Sequence, residues 1–479
     1  MNELSRGRRL LVLAICCMSL FIVGLDNTIV NVALPTLARD LNAPLSGLQW
    51  TIDAYTLVLA ALLMLAGSTG DRIGRRRTFQ TGLVVFSLGS LLCSMAPSLG
   101  WLVVFRMIQA VGGSMLNPVA MSIITNTFTA PKERARAIGV WGAVAGLSMA
   151  AGPLIGGLLV EPVGWRSIFW INVPIGIAAI VLTALFVPES KAARPRRIDP
   201  VGQLLIALLL GTVTFGIIEG PNAGWASPPI LGCFAAAVAV LAALLYYEPR
   251  REEPLIDLRF FRSAPFTGAA VIAISAFAAT GGFLFLNTLY LQNERGLTPL
   301  AAGLCTLPTA LTSLVVSPLS GRLVAARGPR PSLVVAGVAF TVAGVLLTLV
   351  TRQTPLTGLL AIYAVFGIGL GAVNAPITNT AVSGMPRAQA GVAAAIASTS
   401  RQTGQALGVA ISGSVVASGL AGGLGAGFMQ AGHAGWRVIA GYGLIVLIVG
   451  LATTGRWARR TADRVTAGFA PEEAKAGVR

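Results

Sequence analysis

The sequence predicts an all-α membrane protein of fourteen spanning helices, built as two six-helix bundles with two further helices inserted between them. Three observations carry the prediction. Of 479 residues, 55% are hydrophobic and only 11% charged, and the mean hydropathy is +0.77, far from the soluble globular norm. Apolar runs long enough to cross a bilayer core of ~30 Å recur along the whole chain. Finally, a pair of polar motifs in the first half returns in the second at a nearly constant offset, the mark of an internal repeat.

A window of about 19 residues places the first six runs near 10–37, 48–69, 77–97, 100–125, 136–160 and 166–188. Two more lie near 200–219 and 228–247, and six follow near 265–291, 298–324, 331–350, 356–380, 388–418 and 436–457. Basic residues gather before the first run, after every even-numbered run and in the tail. By the positive-inside rule both termini are then cytoplasmic, which makes this a multi-pass protein of the cell (cytoplasmic) membrane. The first run is too long for a signal peptide, and thirteen further spans follow it. The net charge of +17 is therefore topological and does not call for a nucleic-acid partner.

The loop after run 2 reads GSTGDRIGRRR (Gly67 to Arg77), and the loop after run 10 reads GRLVAARGPR (Gly321 to Arg330). Run 4 carries GGSMLNP (Gly112 to Pro118), echoed in run 12 by GLGAVNAP (Gly369 to Pro376). The offsets, 254 for Gly67 to Gly321 and 258 for Pro118 to Pro376, exceed six spans by roughly two. Runs 7 and 8 are then an insertion. The expected domains are a six-helix bundle over 10–188, the inserted pair over 200–247, a second bundle over 265–457 and a cytoplasmic tail over 458–479. Two repeats with a midplane site between them is the form of a rocking transporter.

Charges inside the spans mark the working parts, because an ionisable side chain in hydrocarbon is costly and faces protein or water. In LDNTIVNVALP (Leu25 to Pro35), Asp26, Asn27 and Asn31 interrupt the first run. Counting at 1.5 Å per residue from the outer helix ends puts Asp26 about 13 Å deep, Arg106 about 9 Å and Asp53 about 8 Å. Two acids and one arginine thus share a slab. Asp26 is the expected proton-coupling carboxylate, because burial and an approaching cation move a carboxylate in opposite directions; Asp53 could serve instead or share the proton, and Arg106 could be a permanent clamp. After Asp257 no carboxylate lies in a span, so proton handling belongs to the first half. Asn27, Asn31, Gln109, Asn117, Asn287, Asn374, Asn379, Arg401 and Gln402 are the polar candidates for lining a substrate path.

Two further clusters read as conformational parts. In the loop after run 2, Gly67 permits close helix contact and Asp71 can favour the N-terminus of a neighbouring helix, the end of run 13 near Ala388 being the proposed partner. Gly74 and the arginines Arg72 and Arg75 complete that loop. In run 5, Gly146, Gly152, Gly156 and Gly157 surround Pro153, a spacing that lets helices approach and bends one of them, either as a gate or hinge or as static packing.

Several of these stretches carry a family resemblance. GSTGDRIGRRR resembles the loop signature of the major facilitator superfamily, RMIQAVGGSMLNP its basic fourth-helix motif and GLSMAAGPLIGG its antiporter motif. With LDNTIVNVALP and WRSIFWINVPIG (Trp165 to Gly176), these stretches resemble the fourteen-helix drug:proton antiporter branch, which includes methylenomycin-resistance-type and multidrug exporters. The resemblance covers essentially the whole chain. It implies a major facilitator fold and a switch in which Asp71 latches the outward-open state. It also implies export, which in this family accompanies the run 5 motif.

Other functions find little support. The lone histidine, His433, cannot build a metal cluster or a catalytic triad, and no enzyme activity or metal site is expected. No GxxxxGK[ST] loop is present, which removes ATP as the energy source and leaves an ion gradient; the antiporter resemblance implies that the ion is the proton, and no cofactor is expected. Five cysteines fall in the spans and imply no disulfide framework. The expected protein is a monomeric antiporter embedded in lipid, exporting a small amphipathic drug or natural product in exchange for protons by alternating access. A proton-coupled importer and a non-transporting sensor on the same fold are the alternatives.

Overall fold

The computed structural model describes residues 5–192, 198–251, 253–383, 390–420 and 427–477. Their regular structure is helical. Twelve helical segments are long and apolar enough to cross a membrane. Two other helices, α3 (Arg75–Ser94) and α15 (Ala390–Gly419), occupy the places of runs 3 and 13 but are not among the twelve. Both are diluted by polar residues: three arginines open α3, and Arg401, Gln402 and Gln405 interrupt α15.

The first compact unit comprises residues up to 207 together with 287–307. It contains α1 (Arg6–Asp40), α2 (Leu45–Ile73), α3, α4 (Leu99–Thr127), α5 (Pro131–Val163), the short α6 (Ser167–Trp170), α7 (Asn172–Phe186), the start of α8 (Pro200–Ala223) and α11 (Pro299–Cys305). Its apolar core draws Val12, Ile15 and Cys16 from α1, Tyr55 and Leu59 from α2, Phe79, Leu83 and Phe86 from α3, and Leu116 and Val119 from α4. Small residues set the spacing. A Cβ on Gly112 would lie 2.2 Å from the Phe86 amide nitrogen, and one on Gly89 would lie 2.6 Å from Gln109 Cα. Glycine at those two crossings is what brings α3 and α4 into backbone contact.

The second unit holds residues 208–286 and the described residues from 308 onward. It contains the rest of α8, α9 (Pro228–Tyr247), most of α10 (Ala264–Leu289), α12 (Leu307–Arg327), α13 (Pro329–Leu347), α14 (Leu356–Val382), α15, α16 (Phe428–Thr453) and α17 (Arg456–Gly477). An aromatic core of Phe283, Tyr363, Phe366 and Phe340 joins α10, α13 and α14, with Phe283 stacked on Phe366 at 4.2 Å between centroids.

The expected tail is a helix. α17 turns Ala458, Ala462, Val465 and Phe469 inward, a stripe at helical spacing. Phe469 lies 5.7 Å from Phe260, and Thr461 Oγ1 accepts from the Ala264 amide at 2.9 Å. Nor is the inserted α8 unattached. Gln203 donates its side-chain amide to the carbonyl of Ala61 on α2, and Ser414 on α15 donates to the carbonyl of Ile217 at 2.6 Å.

The two repeated loops share a backbone device. A single glycine separates α2 from α3 and another separates α12 from α13: Gly74 at φ +130° and Gly328 at φ +79°. A non-glycine residue would be strained at either position. The two stand 254 residues apart, the offset of the motifs themselves.

Candidate functional site

α1 and α4 bring the expected charge pair together. Arg106 Nη1 donates to Asp26 Oδ2 at 2.5 Å, with side chains 1% and 0% exposed. The same guanidinium donates from Nη1 to Gln109 Oε1 at 2.8 Å and from Nε to the Thr51 carbonyl at 3.2 Å. The Tyr55 ring lies 4.1 Å from its carbon and that of Phe169 5.7 Å. Such faces favour a cation, most strongly where water is excluded.

Asp26 is satisfied on both oxygens. Its Oδ1 accepts from Gln109 Nε2 at 2.8 Å and from Asn172 Nδ2 at 3.1 Å. Ser90 Oγ ties these amides to one another, accepting from Gln109 at 3.2 Å and from Asn172 at 3.0 Å while donating to the Phe169 carbonyl at 3.0 Å. Cys93 Sγ donates to Gln109 Oε1 at 3.8 Å. A buried ion pair offsets its desolvation only when the remaining lone pairs and protons find partners, and here the carboxylate receives three donors. The packing explains how they reach it. Gly89 lets α3 touch the Gln109 backbone, which carries Ser90 and Cys93 into range, and the interruption between α6 and α7 at Ile171 presents Asn172 at the start of α7.

Asp53 stands apart. It is 0% exposed, and among the described residues neither of its oxygens has a hydrogen-bond partner. The expectation put it in the same slab as Arg106, but depth is only one coordinate. Two residues along a helix are about 200° around it, so Tyr55 faces the guanidinium and Asp53 points to the other side of α2. A buried carboxylate with neither cation nor donor is the least compensated acid in this unit.

The loop after α2 is built differently from expectation. Asp71 pairs along its own chain with Arg75, which donates from Nη2 at 2.8 Å and from Nε at 3.1 Å; Arg72 is exposed. Ala388, its proposed partner at the end of run 13, lies outside the described residues. The acid found at a helix N-terminus is Glu189, which accepts from the backbone amides of Arg76 at 3.0 Å and Arg77 at 3.3 Å at the start of α3. The Arg75 amide donates to the Ser190 carbonyl and the Ala192 amide to the Asp71 carbonyl, so the chain leaving α7 is stitched to this loop. Gly67 is not the close approach within this unit, since a Cβ there would meet only Pro118 at an ordinary 3.8 Å; Gly70 is, at 3.0 Å from Val119.

The glycines of α5 divide between two neighbours. Cβ atoms on Gly152 and Gly156 would strike Thr28 and Ile29 of α1, whereas one on Gly157 would lie 2.5 Å from Leu300 Cα on α11. Pro153 is buried between them, and its carbonyl would lie 2.2 Å from a Cβ on Gly303 of α11. Gly146 is exposed.

Of the remaining polar candidates, Asn31 bonds back to the carbonyls of Asn27 and Thr28 at 3.3 and 3.4 Å. Asn117 Oδ1 has no partner, and Asn287 is buried. In the second unit Asn374 donates weakly to the Leu370 carbonyl at 3.5 Å, Asn379 is exposed, and Gln402 is half-buried beside Arg401. Sequence reasoning singled out Asp26, Arg106 and Gln109 but missed Asn172, Ser90, Cys93 and Tyr55. Asn172 lies inside the WRSIFWINVPIG stretch and was within reach; the other three look like ordinary span residues.

Among the described residues, the helices of membrane-crossing length, with a charge pair locked inside the first unit, define a multi-pass membrane protein. The sequence profile of the Major Facilitator Superfamily matches residues 16–409, and the chain belongs to that family. It is 37% identical to the multidrug resistance protein Stp of Mycobacterium tuberculosis, over 81% of this chain and 72% of that one. It is 38% identical to the tetracenomycin C resistance and export protein of Streptomyces glaucescens, again over 81% and 72%. Among solved structures, a bacterial homologue of the human lysosomal transporter Spinster, in an inward-facing and occupied conformation, aligns with a TM-score of 0.67 and 17% identity, covering 96% of this chain and 98% of that one. That likeness is one of fold.

Proposed function

We propose that this protein is a proton-coupled antiporter that exports a small amphipathic drug or natural product by alternating access. It sits in the cytoplasmic membrane with both termini inside. Fourteen spanning helices form two six-helix repeats around an inserted pair, and the protein works as a monomer surrounded by lipid. The gradient is its only energy source, and no cofactor takes part.

The observation that carries this reading is the pairing of two buried acids in opposite conditions. Asp26 is fully compensated by Arg106, Gln109 and Asn172, and Asp53 is not compensated at all. A coupled exchanger needs a carboxyl group whose surroundings differ between states, because desolvation favours the neutral form and a cation the ionised one. In this reading the two acids alternate in role: Asp26 is the partner of Arg106 in the state described here, and Asp53 is the acid without a counter-charge. Loss of the Arg106 contact in the alternate state would hand Asp26 the role Asp53 has here. Two relatives, one a multidrug resistance protein and one a resistance and export protein, support the outward direction and a drug-like small-molecule substrate.

The test is an efflux and resistance panel in a pump-deficient bacterial host, with and without an uncoupler. Export predicts lower intracellular drug and raised resistance, both lost on uncoupling. Accumulation inside intact cells would instead establish an importer, and no movement of any compound in sealed vesicles would leave a sensor.

A further inference from the structure

The second unit contains an arginine, Arg401, that no carboxylate pairs with among the described residues. Arg401 lies on α15 about 16 Å from the first described residue of that helix and about 27 Å from its last, at 1.5 Å per residue, and so well inside the span. Its Nη1 donates to Thr378 Oγ1 of α14 at 3.4 Å and its Nη2 to Ser398 Oγ at 3.2 Å. Both partners are neutral hydroxyls. Among the described residues no carboxylate pairs with it, and between residues 265 and 457 the sequence holds a single acid, Glu294, which falls in the other compact unit. Arg106 in the first unit shows what a permanently buried arginine receives: a carboxylate, an amide, a backbone carbonyl and an aromatic face.

A guanidinium cannot escape by losing its proton. Inside a membrane it needs water or an anion, and an intramembrane cation without a carboxylate partner is by default a candidate for a substrate or ion path. The surroundings fit such a path. Thr378 and Asn379 are exposed in the last turn of α14, about 6 Å or less from its C-terminal residue Val382 at 1.5 Å per residue, and polar groups at such a helix end face water and not lipid. The acids of the first unit offer nothing comparable to a cationic compound, because Asp26 is engaged by three donors and Asp53 is fully buried.

We propose that Arg401 is the point that recognises an acidic group on the transported compound, so that the substrate class is amphipathic organic anions carrying a sulfonate, carboxylate or phenolate. The acidic group takes the place of the missing protein carboxylate, with Thr378 positioned to share it, and a planar guanidinium suits such oxygens through paired N–H donors. This deepens the export reading and rests on it.

The experiment measures equilibrium binding to the full-length protein in lipid nanodiscs, with radiolabelled 2-naphthalenesulfonate as probe and 2-naphthalenesulfonamide and 2-naphthyltrimethylammonium as neutral and cationic competitors. The unlabelled sulfonate should displace the probe at a concentration at least about tenfold lower than either competitor, which corresponds to about 1.4 kcal/mol. Arg401→Gln should weaken sulfonate binding about tenfold or more while leaving the sulfonamide within about twofold, and Arg401→Lys should keep the sulfonate ahead of the ammonium. Should Arg401→Gln fail to fold, the wild-type ranking and the lysine variant decide. The inference is overturned by absent sulfonate binding, by an equal or better ammonium or sulfonamide, or by a glutamine variant that binds sulfonate like wild type. Because binding is read without transport, an intact sulfonate preference with no pH-driven efflux would count against export and leave this assignment standing.

Discussion

Removing either charge from the Asp26–Arg106 pair leaves the other stranded, and the structure sets the size of the effect. In Asp26→Asn the guanidinium keeps the Thr51 carbonyl, Gln109 and the Tyr55 face but loses its only anion in a site 1% exposed. In Arg106→Gln the carboxylate keeps two amide donors and loses its cation. Breaking a buried pair from one side costs about 3–5 kcal/mol, so each single variant should lose that much. The double variant Asp26→Asn/Arg106→Gln holds no stranded charge and should cost no more than the worse single, which makes the coupling energy at least about 3 kcal/mol. The assay is reversible unfolding in mixed micelles by denaturing detergent, followed by far-UV circular dichroism and tryptophan fluorescence. Single variants costing under about 1 kcal/mol, or a double that is additive within about 0.5 kcal/mol, would refute the reasoning that this pair is a dry, mutually dependent unit.

Three further outcomes follow from other contacts. Asp53→Asn exchanges an unpartnered carboxyl for an amide of the same shape, so it should change stability by no more than about 1 kcal/mol yet abolish uphill substrate movement in proteoliposomes under an imposed pH gradient; full accumulation would return the coupling role to Asp26 alone, which Asp26→Asn in the same assay would check. Glu189→Ala removes the acceptor at the start of α3 and should cost about 1 kcal/mol in detergent unfolding, with Glu189→Gln costing less, because the charge adds to the cap. Gly157→Ala and Gly303→Ala each push α5 against α11 and should each cost about 1–3 kcal/mol; since both act on one crossing, the double variant should be less than additive.

The legible part of this molecule was the part written in periodicity and charge. Hydropathy placed the spans because only apolar helices satisfy their own backbone in lipid, and the arginine-rich loops marked where those spans are joined. Asp26 and Arg106 could be paired by counting rise along two helices. The same count could not resolve angle about the axis, and so it gave Asp53 the depth of Arg106 without saying that the two share no hydrogen bond. Asn172 escaped because its role depends on the α6–α7 interruption, and Ser90 and Cys93 because theirs depends on Gly89 letting two backbones touch. The Glu189 cap spans 113 residues of sequence. Nothing local announces it, since a glutamate after a proline at a helix end reads as a solvated terminus. In the loop after α2 the glycine that makes the close approach within this unit is Gly70 and not Gly67, a distinction that three residues of spacing cannot decide without knowing which face meets α4.

The duplicated loops show which features of the repeat are mechanical and which are chemical. Gly74 and Gly328 keep the same single-residue, positive-φ break, so the turn that joins adjacent helices is common to both copies. The charges on either side are not. Ala325 stands where the first copy has Asp71, and no acid lies within the spans that follow it, while the first copy holds Asp26 and Asp53 in its interior. A repeat that retains its turn geometry but loses its carboxylates on one side is asymmetric in its titratable groups. Under the proposed exchange, proton chemistry would reside in the first unit, while the second holds a guanidinium whose described side-chain partners are neutral hydroxyls. In an exchanger this asymmetry is useful: the two cargoes meet different side chains, so the proton need not vacate the site that the substrate occupies. Coupling between them then acts through the conformational equilibrium, and each cargo shifts it only by its differential affinity for the two states.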